Sequence, residues 1–167
     1  MIAVEFFPLK FSVHTDEVLH FCLANKDFFI QYENITPDKS MVQNLFQSVP
    51  DGMKSTQKQI LGVYQSNKLC ALIELIKDRH TKNEWLLSLF VVDNKYRRQG
   101  LGKKIIYALE LYLVNLGVTC ILLGVIEENQ IAISFWKNLN YQQHTRMSNP
   151  QNINGKLQNI HTFYKEI

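Results

Sequence analysis

Hydrophobic residues recur along this chain at two spacings, one typical of helices and the other of strands. Apolar residues that return every three or four positions predict four helices. These helices cover residues 14–31, 36–49, 100–116 and 130–139. Thr15 is the expected N-cap of the first helix, because a threonine side chain can accept a hydrogen bond from an amide of the first turn.

Apolar runs and weak alternation predict the strands. Their expected positions are residues 4–11, 60–64, 69–76, 85–92, 118–126, 141–147 and 156–164. The run 85–92 is apolar on both faces, which is typical of a central strand, whereas 4–11 is expected at an edge. The order strand, turn, helix, strand over 85–126 predicts a parallel βαβ unit. We therefore expect an α/β fold with a mixed twisted sheet of six to seven strands and about four flanking helices.

Composition and charge narrow the class of protein. The chain has 167 residues, 46% of them hydrophobic and 20% charged, which predicts one globular domain over residues 1–167. A net charge of +3 is too small to indicate nucleic-acid binding. The longest apolar run, 118–126, is far shorter than the roughly 20 residues that span a bilayer, so no membrane segment is expected. Three widely spaced cysteines, without a Cys-x-x-Cys pair, favour a cytoplasmic protein without a metal site.

One segment between a strand and a helix carries the strongest chemical signal. It reads Arg97-Arg98-Gln99-Gly100-Leu101-Gly102-Lys103. The first turn of a helix has N–H groups without intrahelical partners and carries the positive end of the helix dipole. Gly100 and Gly102 remove side chains that would keep a phosphate away from these groups. The segment predicts a pyrophosphate site; a solvated charged face with a flexible turn is the alternative interpretation.

Two common phosphate loops do not fit this segment. The third glycine of Gly-x-Gly-x-x-Gly is replaced by Ile105, and the nucleotide loop Gly-x-x-x-x-Gly-Lys-Ser/Thr has Arg97 and Lys104 at its first and last positions. The remaining pattern resembles the Gln/Arg-x-x-Gly-x-Gly/Ala signature of the GNAT (GCN5-related N-acetyltransferase) superfamily. Residues 129–141 are similar to a second GNAT segment, Asn-x-x-Ala-x-x-x-Tyr-x-x-x-Gly-Phe. The resemblance covers residues 69–141.

The resemblance implies acetyl-coenzyme A as co-substrate, with its pyrophosphate on the amides of residues 98–103. The pantetheine arm would pair with the strand edge at 90–92, where the strands ending near Val92 and Ile126 splay apart. The coenzyme contacts implied in this way are Phe90, Val91, Val92, Arg97, Arg98, Gln99, Gly100, Leu101, Gly102, Lys103, Asn129 and Trp136. For Asn129, a plain helix N-cap is an equally good interpretation.

The chain departs from the family pattern at two catalytic positions. Trp136 stands where a tyrosine general acid is common, and an indole N–H cannot release a proton at useful pH. Gly124 stands where some relatives have a glutamate base. We therefore expect Glu74 to be the general base, with Ser88 holding a relay water and the Val92 backbone N–H facing the thioester.

Each of these assignments has a structural alternative. Glu74 fits equally well on the exposed face of an edge strand, and Ser88 could simply be satisfied by backbone groups. The family plan implies that Phe28, Phe29 and Tyr32 line the acceptor pocket, but these aromatic residues could also belong to the core. Carboxylates available for a cationic amine are Asp27, Glu33 and Asp38.

The leading hypothesis is an acetyl-CoA-dependent N-acetyltransferase that acts on a primary amine of a small molecule or peptide. The amine would attack directly, in a ternary complex. The alternative is a coenzyme A-binding sensor or scaffold without catalysis, motivated by Trp136 and Gly124. Both hypotheses fit a monomer or homodimer that binds neither nucleic acid nor membrane.

Overall fold

The computed structural model describes residues 4–146 and 151–167. The strands are β1 (Phe6–Pro8), β2 (Lys58–Gln65), β3 (Lys68–Ile76), β4 (Glu84–Val92), β5 (Cys120–Ile126), β6 (Gln142–Arg146), β7 (Gln151–Ile153), β8 (Lys156–Gln158) and β9 (Ile160–Glu166). The helices are α1 (Phe11–Ala24), α2 (Lys26–Tyr32), α3 (Lys39–Gln47), α4 (Leu101–Asn115) and α5 (Gln130–Asn138). Within these residues, no helix combines the length and apolar character that crossing a membrane requires.

Seven strands form one mixed sheet in the order β1-β2-β3-β4-β5-β9-β6. Its β4–β5 pair is parallel, which confirms the predicted βαβ unit around α4, and β4 lies at the centre as its apolar pattern indicates. Strand β1 lies at one edge, as expected for the first apolar segment. The predicted mixed α/β fold is therefore confirmed.

The C-terminal part of the chain forms more strands than its apolar pattern predicts. The predicted strand 156–164 is two strands, and the first of them pairs with β7 in a separate hairpin. Asn154 and Gly155 turn this hairpin with φ angles of 48° and 86°, the left-handed conformations that an Asn-Gly turn supplies. The prediction for 141–147 is confirmed as β6, except that Met147 lies outside the described residues.

Helices cover both faces of the large sheet. Alternate residues of β3 point to opposite sides, so Ile73 packs in a cluster with α4 and α5, whereas Leu72 packs in a cluster with α1, α2 and α3. Leu109 of α4 and Phe29 of α2 belong to these two clusters. The sheet therefore forms the middle layer of the molecule, and the ends of its central strands are accessible between the helical layers.

The single helix expected over 14–31 is in fact two helices, so the described residues contain five helices rather than about four. The first helix begins at Phe11, and Thr15 is not its N-cap, because its hydroxyl donates within the helix to the Phe11 carbonyl. Asn25 separates α1 from α2. Its buried side chain donates to the Phe21 carbonyl over 2.9 Å and accepts from the Asn94 N–H over 2.8 Å, which fixes the break against the turn after β4.

Candidate functional site

The central strand is interrupted by a β-bulge at Ser88. In the β3–β4 ladder Glu74 faces Leu89 while Leu75 faces Leu87, so Ser88 is an extra residue in β4. A bulge of this kind bends its strand and increases the local twist. The parallel β4–β5 ladder ends at Leu87 and Leu123, directly before the bulge. The two strands therefore separate toward Val92 and Ile126, as the sequence predicts.

A cavity of about 340 Å³ lies where the strands separate. Its walls include Phe90 of β4, Gly124 of β5, and Asn129 and Trp136 from the start and middle of α5. Among the described residues, no strand pairs with the backbone of β4 beyond Leu87 on this side. An extended ligand chain can occupy such an edge in the way that an added strand would.

The start of α4 lies at the outer end of the same β4 strand. Gly100 is the N-cap residue with φ 79°, and Arg98 two residues earlier also has a positive φ of 60°. The first intrahelical bond runs from the Lys104 N–H to the Gly100 carbonyl oxygen over 3.2 Å, so the preceding N–H groups have no carbonyl in the helix. A Cβ at Gly100 would meet no atom within 4 Å. The backbone at Gly100 therefore borders open space, which suits a phosphate site.

Gly102 has a different environment from Gly100. A Cβ on Gly102 would lie 3.5 Å from the Phe135 ring and 3.7 Å from Val92, which is ordinary contact with α5 and β4. Its direct effect is close packing of the helix start against these two elements. The open approach to the amides depends mainly on Gly100.

The cations of this segment do not all face the amides. The Arg97 guanidinium donates to the Val92 carbonyl over 2.7 Å and to Asn25 Oδ1 over 3.0 Å, so this side chain joins the end of β4 to the α1–α2 break. Arg98 and Lys103 are exposed. The Arg97 guanidinium is therefore occupied by structural hydrogen bonds, and a contact between Arg97 and the coenzyme stays a prediction.

Aromatic residues form one wall of the cavity. The Phe90 and Trp136 rings lie 6.0 Å apart between centroids, and Trp136 also packs edge-on against Phe135 and Tyr141 at 5.0 and 4.9 Å. Trp136 is buried and lines the cavity. Val91, in contrast, packs in the core on the other face, so it offers the cavity side only its backbone.

Asn129 is a helix N-cap, as one of its two interpretations predicts. Its Oδ1 accepts the Ala132 N–H over 3.0 Å, which makes it the N-cap of α5, and the residue also lines the cavity. Gly124 lines the cavity from the opposite strand. A Cβ there would lie 3.1 Å from Ile160 Cγ2, so a larger residue such as glutamate would crowd β9.

Glu74 lies inside the sheet and not on an exposed edge, because β3 is paired on both sides. The exposed-edge interpretation is therefore wrong. Lys58 Nζ lies 2.7 Å from Glu74 Oε1, and the two side chains are only 4% and 14% exposed. Burial raises the pKa of Glu74, whereas the Lys58 ammonium and a hydrogen bond from Ser88 act in the opposite direction. Nothing in the sequence pattern singles out Lys58 as this partner.

The expected acceptor residues do not all line one space. Phe28 and Tyr32 line the cavity between the strands, and so does Glu33 directly after α2. Phe29 is 3% exposed, belongs to the core, and borders a second cavity of about 210 Å³. Glu33 and Ser88 border both cavities, so the two spaces meet beside the bulge.

The family comparison agrees with this geometry. A family model described as "Acetyltransferase (GNAT) family" matches residues 23–141, well over half of the chain. The fold is that of an acetyltransferase of this class. The chain belongs to the GNAT family.

Solved structures share the whole fold at low sequence identity. The ribosomal-protein-S18-alanine N-acetyltransferase from Escherichia coli is 18% identical with a TM-score of 0.69, covering 98% of this chain and 94% of that chain. RimL, a ribosomal L7/L12 α-N-protein acetyltransferase solved in complex with coenzyme A, is 13% identical with a TM-score of 0.80, covering 100% and 96%. The enzyme from Salmonella typhimurium that modifies the N-terminal serine of L7/L12 is 14% identical with a TM-score of 0.79, covering 100% of this chain and 96% of that chain. A comparison with curated protein sequences gives no match.

Proposed function

We propose that this protein is an acetyl-CoA-dependent N-acetyltransferase that moves an acetyl group to a primary amine of a small molecule or peptide. One observation carries the proposal: the unpaired edge of β4 runs directly to the free amides at the start of α4. Coenzyme A has an extended arm and a diphosphate in the same order. A GNAT structure solved with coenzyme A supports this choice of ligand.

The residues present fit such a ligand. The amides of residues 98–103 would hold the diphosphate, and the backbone of 90–92 would pair with the arm. When bound, the coenzyme supplies an acetyl thioester. The Val92 backbone N–H is the proposed donor to the thioester oxygen, because a fixed donor stabilises charge that develops there during attack. Trp136 and Asn129 would contact the arm from α5.

The acceptor side favours a peptide or protein amine. Phe28, Tyr32 and Glu33 line the cavity on the side of α2, opposite the proposed coenzyme position. Two similar structures belong to enzymes whose names specify an alanine of ribosomal protein S18 and the α-amino group of L7/L12. We therefore place N-terminal peptide amines first among the candidate acceptors, ahead of small amines.

The acceptor must lose a proton before it attacks. A peptide α-ammonium has a pKa near 8, so its neutral form costs about 1 kcal/mol at pH 7, whereas an alkyl ammonium with a pKa near 10.4 costs about 4.6 kcal/mol. We propose that Glu74, acting through Ser88, contributes the general base. Trp136 is not the proton donor to the leaving thiolate, because its indole N–H is not acidic.

A thiol-release assay with acetyl-CoA tests the proposal. Peptides with different N-terminal residues, amino acids, polyamines and aminoglycosides serve as acceptors, and calorimetry measures coenzyme A binding in parallel. We expect coenzyme A to bind and thiol release to depend on an added amine. Binding without amine-dependent release would support the alternative, a coenzyme A-binding sensor or scaffold, which the replacements at Trp136 and Gly124 favour. Absence of coenzyme A binding by folded protein would contradict both.

A further inference from the structure

Two carboxylates from different elements face the second cavity. Glu33 follows the C-terminal end of α2, and Glu74 lies in β3. The described residues that line this 210 Å³ space include no lysine, arginine or histidine. Its other walls are mostly apolar side chains, namely Phe29, Ile35, Met41, Leu45 and Leu89. Two acidic groups therefore share a largely apolar space beside the proposed reaction site.

The two carboxylates differ in their partners. Glu74 has the Lys58 ammonium at 2.7 Å and a hydrogen bond from Ser88, so its charge is compensated. Among the described residues, no hydrogen-bond or ion-pair partner contacts the Glu33 carboxylate. Asn154 of the β7–β8 hairpin instead donates to the Glu33 backbone carbonyl over 2.7 Å, which fixes the residue without neutralising its side chain.

Glu33 is also the carboxylate that reaches the space between the strands. It lines both cavities, whereas Glu74 lines only the second. Ser88, the bulge residue, and its neighbour Leu89 also border both cavities. An amine that approaches the edge of β4 from the acceptor side therefore meets Glu33 and Ser88 before Glu74.

We propose that Glu33 and Glu74 act as one proton-accepting unit, in which Glu33 faces the amine and Glu74 stays ionised behind Ser88. This rests on the proposed transferase function. One proton passes from the acceptor ammonium to the Glu33 carboxylate, which frees the nitrogen lone pair. The C–N bond then forms and the C–S bond of the acetyl thioester breaks. The second N–H proton, released as the amide forms, goes to the leaving thiolate through water.

The surroundings of Glu33 suit this role. Burial and the neighbouring Glu74 carboxylate raise the pKa of Glu33, which makes it a stronger base than a solvated glutamate. The titratable groups beside it are Tyr32, the last residue of α2, and Glu74 on β3, and Glu74 in turn pairs with Lys58 of β2. The polar groups from the other elements, Asn44, Ser88 and Asn154, are uncharged. Two carboxylates with different partners are a recognised way to separate acid and base roles.

A double-mutant cycle tests the unit. Glu33→Gln, Glu74→Gln and the double variant are compared for kcat and KM with the best acceptor at saturating acetyl-CoA. We expect each single variant to lose at least tenfold in kcat with little change in KM. The kcat of the double variant should lie no more than about threefold below that of Glu33→Gln, because the effects of residues that act as one unit are not additive. The proposal would be overturned if the kcat loss of the double variant equalled the product of the two single losses. A raised KM with unchanged kcat in Glu33→Gln would also overturn it. Glu5→Gln, an exposed residue with the same change of charge, is the control.

A second measurement does not depend on turnover or on the folding of Glu33→Gln. Carboxyl ¹³C NMR, assigned through bonds, follows the titration of Glu33 in the wild-type protein and in Glu74→Gln. We expect the pKa of Glu33 to exceed that of an exposed glutamate such as Glu5 and to fall in Glu74→Gln. An unchanged titration would overturn the proposal. If the wild-type protein releases no thiol with any amine, the proposed function fails, and this titration still decides the carboxylate pair.

Discussion

At the scale of single residues, the behaviour of Glu74 follows from three neighbours. Burial in β3 disfavours its charge, the Lys58 ammonium at 2.7 Å favours it, and the Ser88 hydroxyl donates to it. The net effect is a raised pKa for a desolvated carboxyl group that keeps a cationic partner. This combination is useful next to a proton transfer, because a fixed charge acts on neighbouring groups without reorganisation of solvent.

For Glu74→Gln we expect turnover to fall at least tenfold while the affinity for coenzyme A stays the same. The amide cannot hold the charge beside Ser88, whereas the proposed coenzyme contacts lie on the β4 edge and the α4 amides. Thiol-release kinetics at several pH values and calorimetry with coenzyme A measure the two effects. Near-wild-type turnover across the pH range would remove Glu74 from the mechanism.

At the scale of elements, the site depends on how one strand ends and one helix begins. The parallel β4–β5 ladder ends directly before the bulge at Ser88, and Gly100 begins α4 in the left-handed region beside open space. Helix α4 is followed by a second glycine in the left-handed region, Gly117. Gly117 has φ 83°, and a Cβ there would also meet no atom within 4 Å. The two ends of α4 therefore provide a matched pair for testing the anion site.

For Gly100→Ala and Gly117→Ala we expect similar losses of stability, about 1–2 kcal/mol each, because both place a Cβ in the left-handed region. Only Gly100→Ala should weaken coenzyme A binding, by roughly tenfold, since Gly100 begins the helix at the proposed diphosphate site and Gly117 lies beyond the other end of the helix. Thermal unfolding and calorimetry distinguish the two effects. Equal affinities in both variants would contradict a diphosphate site at this helix start.

At the scale of the whole molecule, the Lys58–Glu74 pair connects three parts of the structure. Lys58 lies in β2 and Glu74 in β3, and Lys58 Nζ also donates to the Ser48 carbonyl at the C-terminal end of α3. The pair is buried beneath the helical layer of α1, α2 and α3. A buried ion pair of this kind matters for global stability chiefly when one partner is removed, because the other is then left uncompensated.

For Lys58→Met we expect a loss of about 3 kcal/mol at pH 7, which corresponds to a fall in Tm of roughly 6–12 °C for a domain of this size. Without the ammonium, the pKa of Glu74 in the folded state lies further above its unfolded value. The folded state then binds more protons than the unfolded state, so the loss should shrink as pH falls through that folded pKa. Calorimetric melting between pH 5 and 8 measures this. Lys68→Met, at an exposed position of β3, is the control, and a loss independent of pH would contradict the explanation.

The sequence alone indicated the order of most elements and the position of residues 97–103, the proposed coenzyme segment. Apolar spacing located β4, α4 and β5, because burial of one face requires the same period wherever the element lies. The two glycines among cations at 97–103 indicated an anion site, because helix starts and glycine conformations are local properties. The family resemblance rests on these same local patterns.

Only the tertiary structure decided which side chains lie next to one another. Arg97 meets Asn25 across 72 positions of sequence, and Lys58 neutralises Glu74 from the adjacent strand. Glu33 reaches Ser88 only because α2 and the bulged β4 meet at the two cavities. Such contacts depend on strand order, on register and on a single inserted residue, none of which changes the apolar period that a sequence displays. The coenzyme segment could therefore be predicted from the chain itself, whereas the surroundings of the carboxylates required the folded molecule.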